Sequence, residues 1–161
     1  MNDSEPFYTV RGYQLLDKKN NAMTPAMEDY LEMIYRNIES NGFMRISALA
    51  ELLNVKPSSS TKMVEKLDKI GYVIYEKPGI ILLSTKGKTL GKYLLARHNI
   101  IEQFLNKICK SERNFVETEL IEHHLSKETV ISMKIFNDFI KSNPTISDNF
   151  KKYKIEYKKS N

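Results

Sequence analysis

The segment KPSSSTKMVEKL, residues 56–67, decides the fold. Pro57 favours the first turn of a helix. The apolar side chains that follow recur at helical spacing, namely Met63, Val64, Leu67 and Ile70. A shorter helical segment, RISALAELLNV at 45–55, comes before it; Ser47 is its predicted cap and Asn54 breaks it. Two short helices joined by a tight turn, the second opening with hydroxyl residues and lysines, are typical of a helix-turn-helix.

After Gly71 the apolar pattern changes from helical to extended. The segments YVIYE (72–76) and IILLS (80–84) flank Lys77-Pro78-Gly79, and this arrangement is typical of a β-hairpin. A hairpin directly after a helix-turn-helix predicts a winged helix, with Lys77 at the tip of the wing. The alternative is that the hydroxyl-rich start at 58–62 is only a solvated helix face.

The cations and hydroxyl groups of these segments are candidate DNA-binding residues: Lys56, Pro57, Ser58, Ser59, Thr61, Lys62, Lys66 and Lys77. Lysine side chains mostly hold phosphates, and Lys86 is a further candidate for that role. Ser58, Ser59 and Thr61 are the residues expected to meet base edges in the major groove.

Helical patterns continue on both sides of the winged helix. Thr24-Pro25 begins one helix, and Asn41-Gly42 ends it. Thr85 is the predicted cap of a long helix that runs to about Lys110. Three more helices are predicted at about 112–125, at 127–142 and in the tail at 146–157. The expected fold is therefore mainly α.

The segment ETELIEHHL, residues 117–125, carries metal-ligand chemistry. Glu119, Glu122 and His123 are related by i, i+3 and i+4, so they project from one face of a helix. Other helices offer donors of the same kind, namely Asp29, Glu32 and His98. Four carboxylates would converge only around a divalent cation, because they repel one another without it. Oxygen and imidazole donors without a thiolate suit Mn²⁺ or Fe²⁺.

The composition narrows the class of protein. The chain has 161 residues, of which 41% are hydrophobic and 28% charged, as in a soluble globular protein. A net charge of +5 favours an anionic partner, either nucleic acid or an anionic membrane surface. No apolar run approaches the ~20 residues that span a bilayer. Cys109 is the single cysteine, which favours a reducing cytoplasm.

Two other functions stay open at this point. One is a metal-independent winged-helix regulator, in which the carboxylates are only a solvated or hydrogen-bonded cluster. The other is a non-haem metalloenzyme in a helical bundle. The second alternative is disfavoured because the chain contains no Glu-x-x-His pair, and because it leaves the helix-turn-helix unexplained.

Taken in order, these segments resemble the diphtheria-toxin-repressor family of metal-dependent transcriptional repressors, and within it the manganese transport regulator branch. The resemblance runs from Thr24 to about Ile140. The matching segments are TPAMEDYLEMIY (24–35), KPSSSTKMVEKL (56–67), Arg97-His98, EQFL (102–105) and IEHHLS (121–126). In this order they are specific to the family, although each one alone is weak.

The resemblance implies a homodimer that binds double-stranded operator DNA and has no role at a membrane. It predicts an arm at 1–22, a winged-helix domain at 23–90 and a helical metal-binding and dimerisation domain at 91–161, without an SH3-like third domain. The implied metal ligands are Asp29, Glu32, His98, Glu119, Glu122 and His123, holding two ions per subunit. Asp29 and Glu119 stand where iron-responsive members carry Met and Cys, which is similar to the manganese branch, with Fe²⁺ or another divalent metal as the alternative.

Overall fold

The computed structural model describes residues 23–38, 42–76 and 78–160. The predicted arm at 1–22 and the predicted wing-tip cation Lys77 lie outside the described residues. The chain divides into two compact units between Lys92 and Tyr93. The described part of the chain is mainly helical with one small sheet, so the predicted mainly α fold class is confirmed.

The first unit opens with helix α1 (Pro25–Ile38). As predicted, the hydroxyl of Thr24 caps it by accepting a hydrogen bond from the amide of Met27 at 3.4 Å. One face of the helix is apolar and buried, and its members are Met27, Tyr30, Leu31, Ile34 and Ile38. Helix α1 therefore packs through this stripe in the core of the first unit.

The helix-turn-helix consists of α2 (Ile46–Leu52) and α3 (Pro57–Lys69). Asn54 adopts a positive φ of 51° in the turn between them, a conformation that asparagine tolerates better than most residues. The expectation that Ser47 caps α2 is wrong. Arg45 precedes the helix and makes no side-chain capping bond, because the chain enters α2 directly from a strand.

That strand is β1 (Met44–Arg45), which joins the hairpin strands β2 (Val73–Glu76) and β3 (Ile80–Leu83) in an antiparallel sheet of order β1-β3-β2. The register pairs Met44 with Ile81 and Val73 with Leu83. All four of these side chains are buried. One sheet face thus closes the core behind the helix-turn-helix, and the predicted wing is present.

Helix α4 (Thr85–Ile108) begins in the first unit and continues beyond Lys92. Ser84, not the predicted Thr85, caps it: the Ser84 hydroxyl accepts a hydrogen bond from the amide of Gly87 at 3.0 Å. A Cβ atom at Gly87 would lie 1.9 Å from the carbonyl oxygen of Tyr72. A glycine is therefore needed for the first turn of α4 to approach the hairpin this closely.

The second unit contains the rest of α4, then α5 (Asn114–Ile121), a 3₁₀ turn (Glu122–His124), α6 (Lys127–Ser142) and α7 (Pro144–Ser160). Its core includes Leu94 and Ile101 of α4 and Val130 of α6. Asn137 of α6 donates a hydrogen bond to the carbonyl of Ile100 at 2.9 Å. The helix predicted over about 112–125 is present from Asn114 to Ile121, but its continuation to Leu125 is wrong, because the chain tightens into the 3₁₀ turn after Ile121.

No helix among the described residues is both long enough and apolar enough to cross a bilayer.

Candidate metal centre

Three of the predicted ligands meet inside the second unit. Nδ1 of His98, on α4, lies 3.1 Å from Oε2 of Glu122 and 3.4 Å from Oε1 of Glu119. One ligand atom from each of the three residues lies within 4.8 Å of the others. Two carboxylate oxygens and an imidazole nitrogen at this separation can bind one divalent cation after small side-chain adjustments.

The end of α5 and the turn that follows it position the carboxylates. Glu119 lies in the last turn of α5, and Glu122 is the first residue of the 3₁₀ turn. Residues three apart on a helix lie on the same face. Glu119 and Glu122 therefore both reach His98 of α4.

The centre is mostly shielded from water. The side chains of His98 and Glu122 are 2% and 1% exposed, whereas that of Glu119 is 40% exposed. A buried carboxylate requires a compensating cation or several hydrogen bonds. Glu122 has a permanent cation nearby, since Nη2 of Arg97 lies 3.6 Å from its Oε1 atom.

His123 lies beside this cluster. Its Nε2 atom is 3.7 Å from Oε1 of Glu122, and its Nδ1 atom is 3.3 Å from Nη2 of Arg97. His123, in the 3₁₀ turn, therefore lies next to both Glu122 and Arg97.

The two remaining predicted ligands belong to α1 in the first unit. Asp29 is half-buried and Glu32 is buried. The Glu32 carboxylate accepts hydrogen bonds from two guanidinium nitrogens of Arg36, one of them Nε at 2.9 Å. The role of Asp29 and Glu32 as metal ligands stays a prediction.

Apart from Lys77, the predicted DNA-binding residues lie at the start and on the outer face of α3. Most of them are exposed, namely Lys56, Pro57, Ser58, Ser59, Lys62 and Lys66. Thr61 is half-buried, and its hydroxyl donates to the carbonyl of Pro57 at 3.0 Å. Ser60 is fully buried. Helix α3 thus places Ser60 in the core and its hydroxyl and lysine neighbours in solvent.

Two further cations lie beside the helix-turn-helix. Lys86 donates to the carbonyl of Ile70 at 3.1 Å, and its ammonium group lies 4.1 Å from the ring centroid of Tyr72. Arg45 is exposed, but it is absent from the predicted DNA-binding residues because the sequence shows it only as the start of a helix. It lines a cleft of about 440 Å³ together with Ile46, Ser47, Pro57, Tyr75, Pro78 and Gly79.

Two family models match nearly the whole described chain. Residues 22–79 match "Iron dependent repressor, N-terminal DNA binding domain", and residues 84–151 match "Iron dependent repressor, metal binding and dimerisation domain". The chain belongs to the iron-dependent repressor family. The resemblance to the diphtheria-toxin-repressor family and its manganese branch is confirmed.

Curated relatives agree with this family. The chain is 47% identical over 124 residues to the HTH-type transcriptional regulator MntR of Lysinibacillus sphaericus, covering 76% of this chain and 89% of that protein. It is 52% identical over 108 residues to MntR of Bacillus subtilis, covering 66% and 76% of the two chains. The chain is thus a metal-responsive transcriptional repressor of the iron-dependent repressor family and not an enzyme.

Solved structures of metal-dependent regulators share the fold. The manganese regulator SloR superposes with a TM-score of 0.64 at 31% identity, over 73% of this chain and 55% of that one. The metal-dependent transcriptional regulator MtsR superposes with a TM-score of 0.65 at 29% identity, over the same two fractions. The present chain therefore spans about half the length of these solved relatives.

One member of the centre was not singled out by sequence reasoning. Arg97 is the residue before His98, and the sequence shows it only as part of the Arg97-His98 family match. The structure buries its side chain to 7% exposure beside Glu122 and His123. The sequence offers no signal for this role, because an arginine on a helix with many polar residues usually stands in solvent.

Proposed function

We propose that this repressor responds to manganese, binds operator DNA as a homodimer in the cytoplasm and controls metal-uptake genes. The observation that carries the proposal is the cluster of His98, Glu119 and Glu122 in the second unit. Hard oxygen donors with imidazole favour Mn²⁺ or Fe²⁺ over the thiolate-preferring metals. The printed names of the relatives MntR and SloR support manganese as the first choice.

The residues present fit a divalent ion. Glu122 offers a buried carboxylate, His98 an imidazole nitrogen and Glu119 a carboxylate that is partly open to solvent. Three protein donors leave positions for further ligands in the near-octahedral coordination that Mn²⁺ favours. Bound metal would supply positive charge to carboxylates that are otherwise neutralised only by nearby side chains.

We assign His123, Asp29 and Glu32 as additional ligands, so that each subunit holds two ions. The support is their donor chemistry and their match to the family pattern, together with the place of His123 next to Glu122. Metal occupancy would then be coupled to operator affinity. A coupling free energy of about 1–3 kcal/mol is enough to change operator affinity usefully.

Dimer formation is supported by apolar side chains that stand in solvent on α5 and α6. At least half of the surface of each is exposed, and the group consists of Phe115, Val116, Leu120, Ile131 and Ile135. Contiguous exposed apolar surface is typical of protein interaction sites. A two-fold dimer would present two copies of α3 to half-sites about one helical turn apart.

The decisive experiment is fluorescence anisotropy at fixed salt with a palindromic operator from upstream of a manganese-transporter gene. Titrations in chelator, Mn²⁺, anaerobic Fe²⁺, Zn²⁺ and Co²⁺ are compared. Tight binding only with metal, and most selectively with Mn²⁺, is the expected result. Equal binding in chelator would reject the metal-responsive mechanism, and selectivity for Fe²⁺ would reject manganese as the signal.

A further inference from the structure

We propose that Arg97 is a built-in counter-ion of the metal-free centre and that it opposes metal binding, so that it sets the concentration at which the repressor responds. The inference rests on the proposed function, because it concerns the same metal centre. It assigns to Arg97 a role toward the ligands, and it does not add a ligand.

Arg97 is placed for this role by its position next to His98 on α4. Its side chain is 7% exposed, and Nη2 lies 3.3 Å from Nδ1 of His123 and 3.6 Å from Oε1 of Glu122. The first distance is a hydrogen bond, and the second is an ion pair without a direct hydrogen bond. One guanidinium nitrogen thus faces two of the assigned ligands at once.

The hydrogen bond fixes the tautomer of His123. A guanidinium group only donates, so Nδ1 of His123 must accept. A neutral imidazole has a single acceptor nitrogen, and an imidazolium has none. Nε2 of His123 therefore carries the proton, and it lies 3.7 Å from Oε1 of Glu122. His123 can ligate a metal only when the lone pair of Nδ1 is released by Arg97.

Charge acts in the same direction. The positively charged guanidinium lies 3.6 Å from Oε1 of Glu122, and it neutralises part of this buried carboxylate when no metal is bound. A divalent cation held by Glu122 would lie within a few ångströms of that fixed positive charge, in surroundings where screening is weak. Arg97 therefore stabilises the metal-free centre and raises the free energy of the metal-bound one.

The test uses the whole chain with Arg97→Gln, which removes the charge and leaves a shorter polar side chain. The matched control is Arg113→Gln, at an exposed arginine of the same unit. Mn²⁺ affinity is measured by isothermal titration, and thermal unfolding is measured in chelator. We expect Arg97→Gln to bind Mn²⁺ about tenfold more tightly, within the range of typical coupling effects, and to unfold at a lower temperature in chelator. The control should match the wild type in both measurements.

A supporting role for Arg97 predicts the opposite change in Mn²⁺ affinity. If Arg97 only oriented its neighbours for the metal, its loss would weaken Mn²⁺ affinity 10–100-fold, as for typical outer-shell partners. Weaker or unchanged affinity in Arg97→Gln would overturn the inference while leaving the proposed function intact. Failure of the wild-type protein to bind Mn²⁺ would overturn both.

A second measurement does not depend on the variant folding. Long-range ¹H–¹⁵N NMR of the histidine side chains in metal-free wild-type protein reports which ring nitrogen of His123 is protonated. The Arg97 contact requires a proton on Nε2 and none on Nδ1. A proton on Nδ1 would exclude the contact, and the inference would fail.

Discussion

The metal centre of the second unit and the outer face of α3 in the first unit differ most in their exposure to water. Glu122 is 1% exposed and lies within 4 Å of His98, Arg97 and His123. Lys62 and Lys66 of α3 stand in solvent. A buried charge depends on a few specific partners, whereas exposed cations contribute small, screened and interchangeable amounts. One substitution should therefore abolish the function of the centre, but only reduce that of the DNA-binding face.

The largest effect is expected for Glu122→Gln. The amide keeps the size of the side chain but removes the charge that would attract a cation. Mn²⁺ affinity should fall by more than about 100-fold, beyond the range typical of outer-shell partners, and operator binding should lose its response to Mn²⁺. Isothermal titration and anisotropy measure the two effects, and Glu112→Gln, at an exposed carboxylate, is the control. A normal Mn²⁺ response in Glu122→Gln would remove Glu122 from the ligand set.

A smaller effect is expected for Lys62→Ala on the face of α3. If Lys62 holds one phosphate, its loss lowers operator affinity similarly for all sequences and reduces the magnitude of the log–log salt slope by about 1. Anisotropy titrations at several salt concentrations give this slope. Lys110→Ala, which removes an exposed lysine of the second unit, should leave the slope unchanged. An unaltered slope in Lys62→Ala would place this lysine away from the phosphates.

The two faces of α3 can be separated by a pair of serine substitutions. The Ser60 hydroxyl is buried and has no hydrogen-bond partner among the described residues. Since an unsatisfied buried hydroxyl is unfavourable, Ser60→Ala should raise the free energy of unfolding by about 1 kcal/mol and leave operator affinity unchanged. Ser58→Ala, at an exposed position, should lower operator affinity and leave the free energy of unfolding unchanged. Urea denaturation and anisotropy test both variants, and a destabilised Ser60→Ala would indicate an unrecognised partner.

The smallest effect is expected for Asp138→Asn on α6. A hydrogen bond from Lys134, at 2.6 Å, lowers the pKa of the Asp138 carboxyl below its usual value of 3.8. A carboxyl group whose pKa is lowered by folding stabilises the folded state at pH values above its unfolded-state pKa. This contribution is lost as the pH falls through the folded-state pKa. The pair is fully exposed, so the melting temperature of Asp138→Asn should be only slightly below that of the wild type at neutral pH. This small difference should disappear below about pH 4. A large difference at neutral pH would contradict this.

Features that depend on neighbouring residues were predicted well from the sequence. The helix-turn-helix, the hairpin and the Thr24 cap all follow from spacing and local hydrogen bonds within a few residues. Strand β1 was missed because two residues, Met44 and Arg45, carry no periodic signal. Their extended conformation depends on pairing with Ile80 and Ile81, which are far away in the sequence.

The candidate site shows the same division. The sequence identified His98, Glu119 and Glu122 as potential ligands, because the chemistry of a side chain is fixed by its residue type. It placed Glu119 and Glu122 on one continuous helix, and the structure instead bends the chain into a 3₁₀ turn at Glu122. The α-helical and 3₁₀ conformations are similar at the end of a helix, so contacts with α4 can shift the residue at which α5 ends.

The sequence by itself determined the winged-helix pattern, the donor types and the net positive charge, since each is a property of residue identity or of spacing along one element. Only the tertiary structure decided which donors of the second unit meet, how far each is buried and which cation accompanies them. Arg97 is the clearest case: its charge is evident in the sequence, but its contact with His123 joins residues 26 positions apart. Burial and long-range proximity arise from packing, which no local pattern encodes.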